Sequence, residues 1–246
     1  MSFLIFTSLF LAVTLSGLSV FLFKSNNKRT IKLLLSFSGA YLLAITFLHL
    51  VPEIYIDNNS SIGIYILIGF FLQILLELFS EGIEHGHAHI HKKEDAAFPL
   101  AMMLSLCIHS FLEGMPLAYG LSAARHGHPE DEVSNPLLLG LILHKIPISI
   151  VLMGMFLQSK LKKQKAVFLL IILALMAPLG ALTSYLIGEQ LVNDMSLYFD
   201  KMLAIVIGIF LHISTTILFE SSENHRFNIY KIITIALGAV VALLSL

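Results

Sequence analysis

The chain has 246 residues, 57% of them hydrophobic and only 13% charged, with a mean hydropathy of +0.87. Soluble domains are about a quarter charged and about half apolar, so an ordinary soluble enzyme is excluded. Disorder is excluded too, because it needs low hydrophobicity and high net charge. The formal net charge of -1 offers no basic field to nucleic acid, and a single cysteine, Cys107, excludes a disulfide framework or a multi-cysteine metal knot.

What remains is an all-α polytopic membrane protein. Apolar stretches of roughly the 20 residues that a spanning helix needs fall at about 3–23, 31–52, 62–80, 97–120, 136–158, 166–188, 197–219 and 228–245. Eight spans in 246 residues leave about 31 per helix and loop, so 1–246 is expected to be one transmembrane bundle without a separate soluble domain. The first stretch is not expected to be a secretory signal, since Lys24, Lys28 and Arg29 follow it instead of preceding it.

Topology follows from the distribution of basic residues. Loops 1–2, 3–4, 5–6 and 7–8 with their flanks hold Lys24, Lys28, Arg29, Lys32, Lys92, Lys93, Lys160, Lys162, Lys163, Lys165, Arg226 and Lys231, whereas the opposite side holds Arg125 and Lys201. Twelve against two places both termini outside. The outer side is acidic, with Glu53, Asp57, Glu130, Asp131, Glu132, Glu189, Asp194 and Asp200, and this raises the local cation concentration.

Ionisable groups at membrane depth are costly and mark function by default. In chain order, the second span closes on His49-Leu50-Val51-Pro52-Glu53, a His/Glu pair four apart at the outer end: an entrance site, or simply a polar helix end. Glu77 lies near the inner end of the third span with Gln73 one turn earlier, at a position suited to an exit. The third-to-fourth loop, about 81–96, alternates His85, His87, His89 and His91, a pattern that binds zinc, nickel or copper without fixed geometry. Being inside, it is expected to act after transport, as a receiving or sensing site.

The fourth span carries the richest constellation, Cys107-Ile108-His109-Ser110-Phe111-Leu112-Glu113-Gly114-Met115-Pro116. His109 and Glu113 share a helix face, and imidazole with carboxylate is a donor set for a divalent transition metal. Pro116 leaves the carbonyl of Leu112 without a donor, so a kink is expected in the same turn. The outer fourth-to-fifth loop adds His126 and His128 as weak metal collectors. The fifth span repeats the theme in His144-Lys145-Ile146-Pro147, so His109, Glu113 and His144 together form the expected metal site. Lys145, about ten residues into its span, is too deep to snorkel. It either neutralises Glu113 while no metal is bound or sits where a second metal would.

In the seventh span His212 precedes Ser214, Thr215 and Thr216, a patch that faces the pathway or bonds neighbouring helices. Met102, Met103, Met153 and Met155 are expected to pack, and Cys107 to face away from His109.

Together these residues resemble the ZIP (Zrt/Irt-like) family of metal-ion transporters over essentially the whole chain. The resemblance is carried by Ser38-Gly39-Ala40 leading to His49–Glu53, by the histidine loop, by His109-Ser110-Phe111 with Glu113-Gly114, by His144 with Pro147, and by Ala177-Pro178-Leu179-Gly180-Ala181. It implies a transport site between spans four and five, with His109, Glu113 and His144 as ligands, and a three-two-three inverted repeat working as an elevator. Many members hold two metals, but the positions that would serve the second are Ser110, Lys145 and Ile148 here. A single-metal site is therefore expected, with Lys145 as a tethered cation in the second position, as in a branch of the family with His-Lys-x-Pro.

The expected function is transport of a divalent transition metal, zinc first, toward the cytoplasm across the cell membrane. The metal is cargo, no prosthetic group is expected, and a homodimer is what the family implies. The expected route passes His49 and Glu53, then His109, Glu113 and His144, then Glu77 and the histidine loop. An enzyme is not expected: there is no His-Glu-x-x-His, nor an obvious nucleophile or base left over. A transport-inactive metal sensor is the alternative, motivated by Lys145 and Ile148.

Overall fold

The computed structural model describes residues 2–22, 28–55, 61–80, 100–118, 134–159, 161–191, 195–220 and 229–245, and every element in them is helical. In chain order these are α1 (Ser2–Leu18, closing in a 3-10 turn, Ser19–Phe21) and α2 (Lys28–Ile45, prolonged by a π-helical turn, Thr46–Leu50, and an α-turn, Val51–Ile54). Then come α3 (Ile62–Ser80), α4 (Leu100–Gly114, closing in a 3-10 turn, Met115–Leu117) and α5 (Ser134–Gln158). The last three are α6 (Lys163–Leu191), α7 (Met195–Glu220) and α8 (Ile229–Leu244).

α1 to α7 are long and apolar enough to cross a membrane, whereas α8 has 16 residues. At 1.5 Å per residue it reaches about 24 Å, short of a hydrocarbon core of about 30 Å. All eight expected spans thus appear as helices, the eighth shorter than the rest.

α3 is amphipathic in the inverted sense of a membrane bundle. Ile64, Leu67, Phe71, Leu75 and Leu78 form an exposed apolar stripe, while Gly69, Gln73, Leu76 and Ser80 are buried on the opposite face. The apolar side fits lipid, and the small and polar side fits neighbouring helices.

The helices pack as two interlocked groups. α1 packs on α5 and α6, α4 packs on α6, and α5 on α6; α3 packs on α7, and α2 on both α7 and α8. The groups meet where α2 crosses α5, where α3 crosses α4, and where α7 meets the turn Met115–Leu117.

Close crossings are made at small residues. A Cβ on Gly114 would overlap the Ala177 carbonyl oxygen, and one on Gly180 would overlap that of Phe111, so reciprocal glycines clamp α4 to α6 just beyond Glu113. Polar side chains bond across helices. Tyr41 Oη donates to the Pro136 carbonyl at 3.1 Å and meets Ser245 Oγ at 2.9 Å, tying α2 to α5 and α8. Lys231 Nζ donates to the Leu218 carbonyl at 2.7 Å, satisfying an acceptor in the last turn of α7.

The two prolines of the candidate site act differently. α4 leaves α-helical geometry at Gly114, and the chain tightens into the 3-10 turn that contains Pro116, which accommodates the missing N–H. α5 continues as α-helix through Pro147 over its whole length, so the proline is absorbed and the Leu143 carbonyl, beside His144, has no donor within the helix. In α2 the backbone N–H of Val51 bonds to the Thr46 carbonyl, closing the π turn immediately before Pro52.

Candidate metal centre

α4 and α5 bring His109, Glu113 and His144 together. One donor atom from each lies within 4.8 Å of the others, and all three residues are buried. Nε2 of His109 is 3.1 Å from Oε1 of Glu113, and Nε2 of His144 is 3.9 Å from the same oxygen. The imidazoles meet edge to face, with centroids 6.3 Å apart. Donors around a tetrahedral zinc ion, with bonds of about 2.0–2.1 Å, stand roughly 3.3 Å apart. The set needs to draw in by about an ångström to hold an ion of this kind. Oε1 makes no well-formed hydrogen bond among the described residues, and it is the oxygen turned toward Nε2 of both imidazoles.

The other oxygen of Glu113 belongs to Lys145. Nζ donates to Oε2 at 2.6 Å and to Ser110 Oγ at 2.9 Å. Glu113 is 0% exposed and Lys145 7%, so this is a buried ion pair. Leaving either partner alone is expensive in such a setting. The pair leaves Oε1 as the oxygen of Glu113 open to the imidazoles.

Gln73 is the residue that sequence reasoning did not connect to this centre. Its Oε1 lies 3.0 Å from His109 Nδ1. With Nδ1–H as donor, Nε2 carries the lone pair directed at the centre, the usual arrangement for a metal-ligating imidazole. Gln73 is fully buried on α3, so the bond crosses between the two helix groups. A second link runs parallel, from Ser105 Oγ on α4 to the Leu76 carbonyl at 2.6 Å. The signal was a glutamine within a mostly apolar span, one turn before Glu77, where an amide needs a partner.

Glu77 and His212 pair with each other instead of standing apart. Nε2 of His212 lies 2.5 Å from Oε2 of Glu77, linking α7 to α3, and the imidazole packs edge-on against Phe70. The pair lies one turn along α3 from Gln73. His49 and Glu53 are both half-buried; His49 lies within the π turn, and Glu53 follows it. His85, His87, His89, His91, His126 and His128 lie outside the described residues. Met102, Met103, Met153 and Met155 are core residues, and Cys107 packs half-buried among them.

An all-helical bundle with seven membrane-length helices and a buried His/Glu/His cluster defines a multi-pass membrane protein with a candidate centre for a divalent ion. A family model described as ZIP Zinc transporter matches residues 84–245, and the chain belongs to that family. That segment includes His109, Glu113, His144 and Lys145. Among curated proteins the chain is similar to Zinc transporter ZIP9-B of Xenopus laevis, at 23% identity over 134 residues. This match covers 52% of the chain and 41% of the relative, so the chain spans less than half of that protein's length.

Proposed function

We propose that the protein carries a divalent transition metal, zinc first, across the cell membrane toward the cytoplasm. The observation that carries this reading is the convergence of His109, Glu113 and His144 at membrane depth within a chain of the zinc-transporter family. Two neutral imidazoles and one carboxylate suit zinc and its neighbours, and the absence of a thiolate in the set disfavours Cu(I). The ion is substrate, one ion at a time. Lys145 occupies the place of a second cation, its ammonium on the oxygen of Glu113 that faces away from the imidazoles.

The proposed route begins at the acidic outer surface, passes His49 and Glu53, and reaches the centre. It then leaves by the Glu77–His212 pair toward His85, His87, His89 and His91. The position of that pair, one turn from Gln73 along α3, supports the inner half of the route. Both termini lie outside in this reading.

A three-two-three inverted repeat gains support from the packing. Exchanging α1 with α6, α2 with α7, α3 with α8 and α4 with α5 turns the α3–α7 pairing into α8–α2, and α1–α5 into α6–α4. The group α1, α4, α5 and α6 would then move against the other as an elevator, as a homodimer in the membrane. Catalysis of a chemical reaction is not part of this reading.

The test is zinc uptake into proteoliposomes. Glu113→Ala is expected to abolish uptake while the protein still purifies as a folded species, and near-normal uptake would refute the site. The sensor reading draws on the Lys145–Glu113 pair, which already neutralises the carboxylate. It predicts zinc bound without flux in the unmodified protein.

A further inference from the structure

The two helix groups are joined differently within themselves and to each other. Within a group, helices cross backbone to backbone at glycines. Besides the Gly114 and Gly180 crossing, a Cβ on Gly69 would overlap the Ile205 carbonyl oxygen and one on Gly208 that of Ile66, which locks α3 to α7. A Cβ on Gly238 would overlap the Phe37 carbonyl oxygen, which locks α8 to α2. Across the boundary, the atoms nearest a Cβ on Gly140 of α5 belong to side chains of α2, those of Tyr41, Leu42 and Ile45. Side chains can turn aside where backbone cannot, so this boundary is the surface along which the groups can shift as bodies.

Polar bonds also cross that boundary. Ser105 Oγ of α4 donates to the Leu76 carbonyl of α3, and Tyr41 Oη of α2 to the Pro136 carbonyl of α5. A further bond ends on the metal centre itself: Gln73 Oε1 of α3 lies 3.0 Å from Nδ1 of His109, and both residues are buried. His109, Glu113 and His144, with Lys145 on Glu113, all stand on α4 and α5, in one group. Gln73 stands on α3, in the other. In a shift of one group against the other the ligands travel together, and Gln73 does not travel with them.

We infer that Gln73 is a positioning residue that makes zinc affinity depend on how the two groups sit. Its bond to His109 belongs to the arrangement described here, which is the tighter-binding one. A shift of the groups breaks that bond and loosens the ion while its ligand set stays complete. The inference rests on the metal reading above and on movement of one group against the other. An acceptor on Nδ1 raises the basicity of Nε2, and losing such a partner weakens metal binding by about 10–100-fold. The bound ion in turn polarises the imidazole and strengthens the Nδ1–H bond. By reciprocity, zinc favours the bonded arrangement by the same factor that the bond adds to zinc affinity.

The test uses the full chain in detergent micelles, with Cys107→Ala and nitroxide labels on Ile64→Cys of α3 and Leu104→Cys of α4, both exposed positions on opposite sides of the boundary. Pulsed electron paramagnetic resonance gives the distances between the labels, and chelator competition gives zinc affinity on the same preparations. Saturating zinc is expected to raise the ratio of the bonded to the shifted population by roughly tenfold or more, the ratio of the two affinities. In Gln73→Leu, saturated at its own higher zinc concentration, that factor should fall close to one. Gln73→Glu, which keeps an acceptor, should restore it. Ser105→Ala removes the neighbouring link without touching the imidazole, so it should change the zinc-free ratio and leave the zinc-induced factor as it was.

A residue that only braces the bundle would lower the unfolding midpoint when replaced and leave the zinc-induced factor intact. A zinc-induced shift of equal size in Gln73→Leu and the unmodified residue therefore overturns the inference while the metal centre stands. So does a single distance, unchanged by zinc, in every variant that binds zinc. Zinc that fails to bind with Gln73 in place, or binds equally well in His109→Ala, overturns the metal reading and takes this inference with it. The affinity measurement thus separates the two failures.

Discussion

Replacing Glu113 by Gln keeps the shape of the side chain and removes its charge. Lys145 is buried, 7% exposed, and its ammonium, 2.6 Å from the lost carboxylate oxygen, would then have no counter-ion. Removing one member of a buried pair costs about 3–5 kcal/mol. The amide oxygen can still accept from Nζ, so the lower end of that range is expected. Adding Lys145→Met removes the orphaned charge and leaves a neutral, well-filled site, and such replacements are near neutral or even stabilising.

Glu113→Gln should therefore unfold well below the unmodified protein, and Glu113→Gln/Lys145→Met should recover most of the loss, giving a large coupling in the double-mutant cycle. Zinc binding should stay lost in both, because the anionic ligand is gone in both. Thermal unfolding of purified protein in detergent, followed by circular dichroism, gives the stabilities, and chelator competition gives the affinities. Two results would refute the reasoning: a single variant as stable as its parent, or a double variant no more stable than the single one.

Gln73→Leu removes the acceptor on His109 Nδ1 without touching the three donors. Zinc affinity should fall by about 10–100-fold, the usual effect of losing such a partner. Gln73→Glu, which supplies a stronger acceptor, should hold or improve affinity. Zinc binding should weaken as pH falls, because protons compete with the ion for His109, His144 and Glu113. The dissociation constant from chelator competition should rise steadily as pH is lowered, and a constant value would contradict ligation by these side chains. Gly180→Ala should destabilise the bundle by at least the 1–3 kcal/mol typical of overpacking, since its Cβ meets the backbone of Phe111 and not a side chain that can turn aside. Thermal unfolding measures this, and an unchanged midpoint would show that α4 and α6 separate easily.

The helices were legible in the sequence because hydropathy alone dictates them: each described span coincides with an apolar run long enough to span or nearly so. His109 and Glu113 were legible because a helix puts residues four apart on one face, and His144 because it repeats a histidine near a proline. For Lys145, a lysine ten residues deep, solvation left two places open, beside Glu113 or where a second metal would sit, and the structure pairs its ammonium with Glu113. The partners of Gln73 and His212 were not legible in this way. Their contacts depend on α3 meeting α4 in one case and α7 in the other, and local periodicity carries no information about which helices meet. Gln73 had instead been read as a neighbour of Glu77 on an exit path, because that was the only contact a single helix could reveal. The crossing at Gly114 and Gly180 is similar: each glycine was visible, but their reciprocity appears only when α4 and α6 are set side by side.

Transport as proposed requires the ion to pass through the centre built by α4 and α5. The most direct test is zinc flux into proteoliposomes, measured beside equilibrium zinc binding on the same preparations, for the unmodified protein and His109→Ala. Flux and binding that are both present in the first and both lost in the second are the predicted result. Flux that persists in His109→Ala would place the route elsewhere in the bundle. Binding without flux in the unmodified protein would make it a metal-holding membrane protein and Lys145 the residue to replace next.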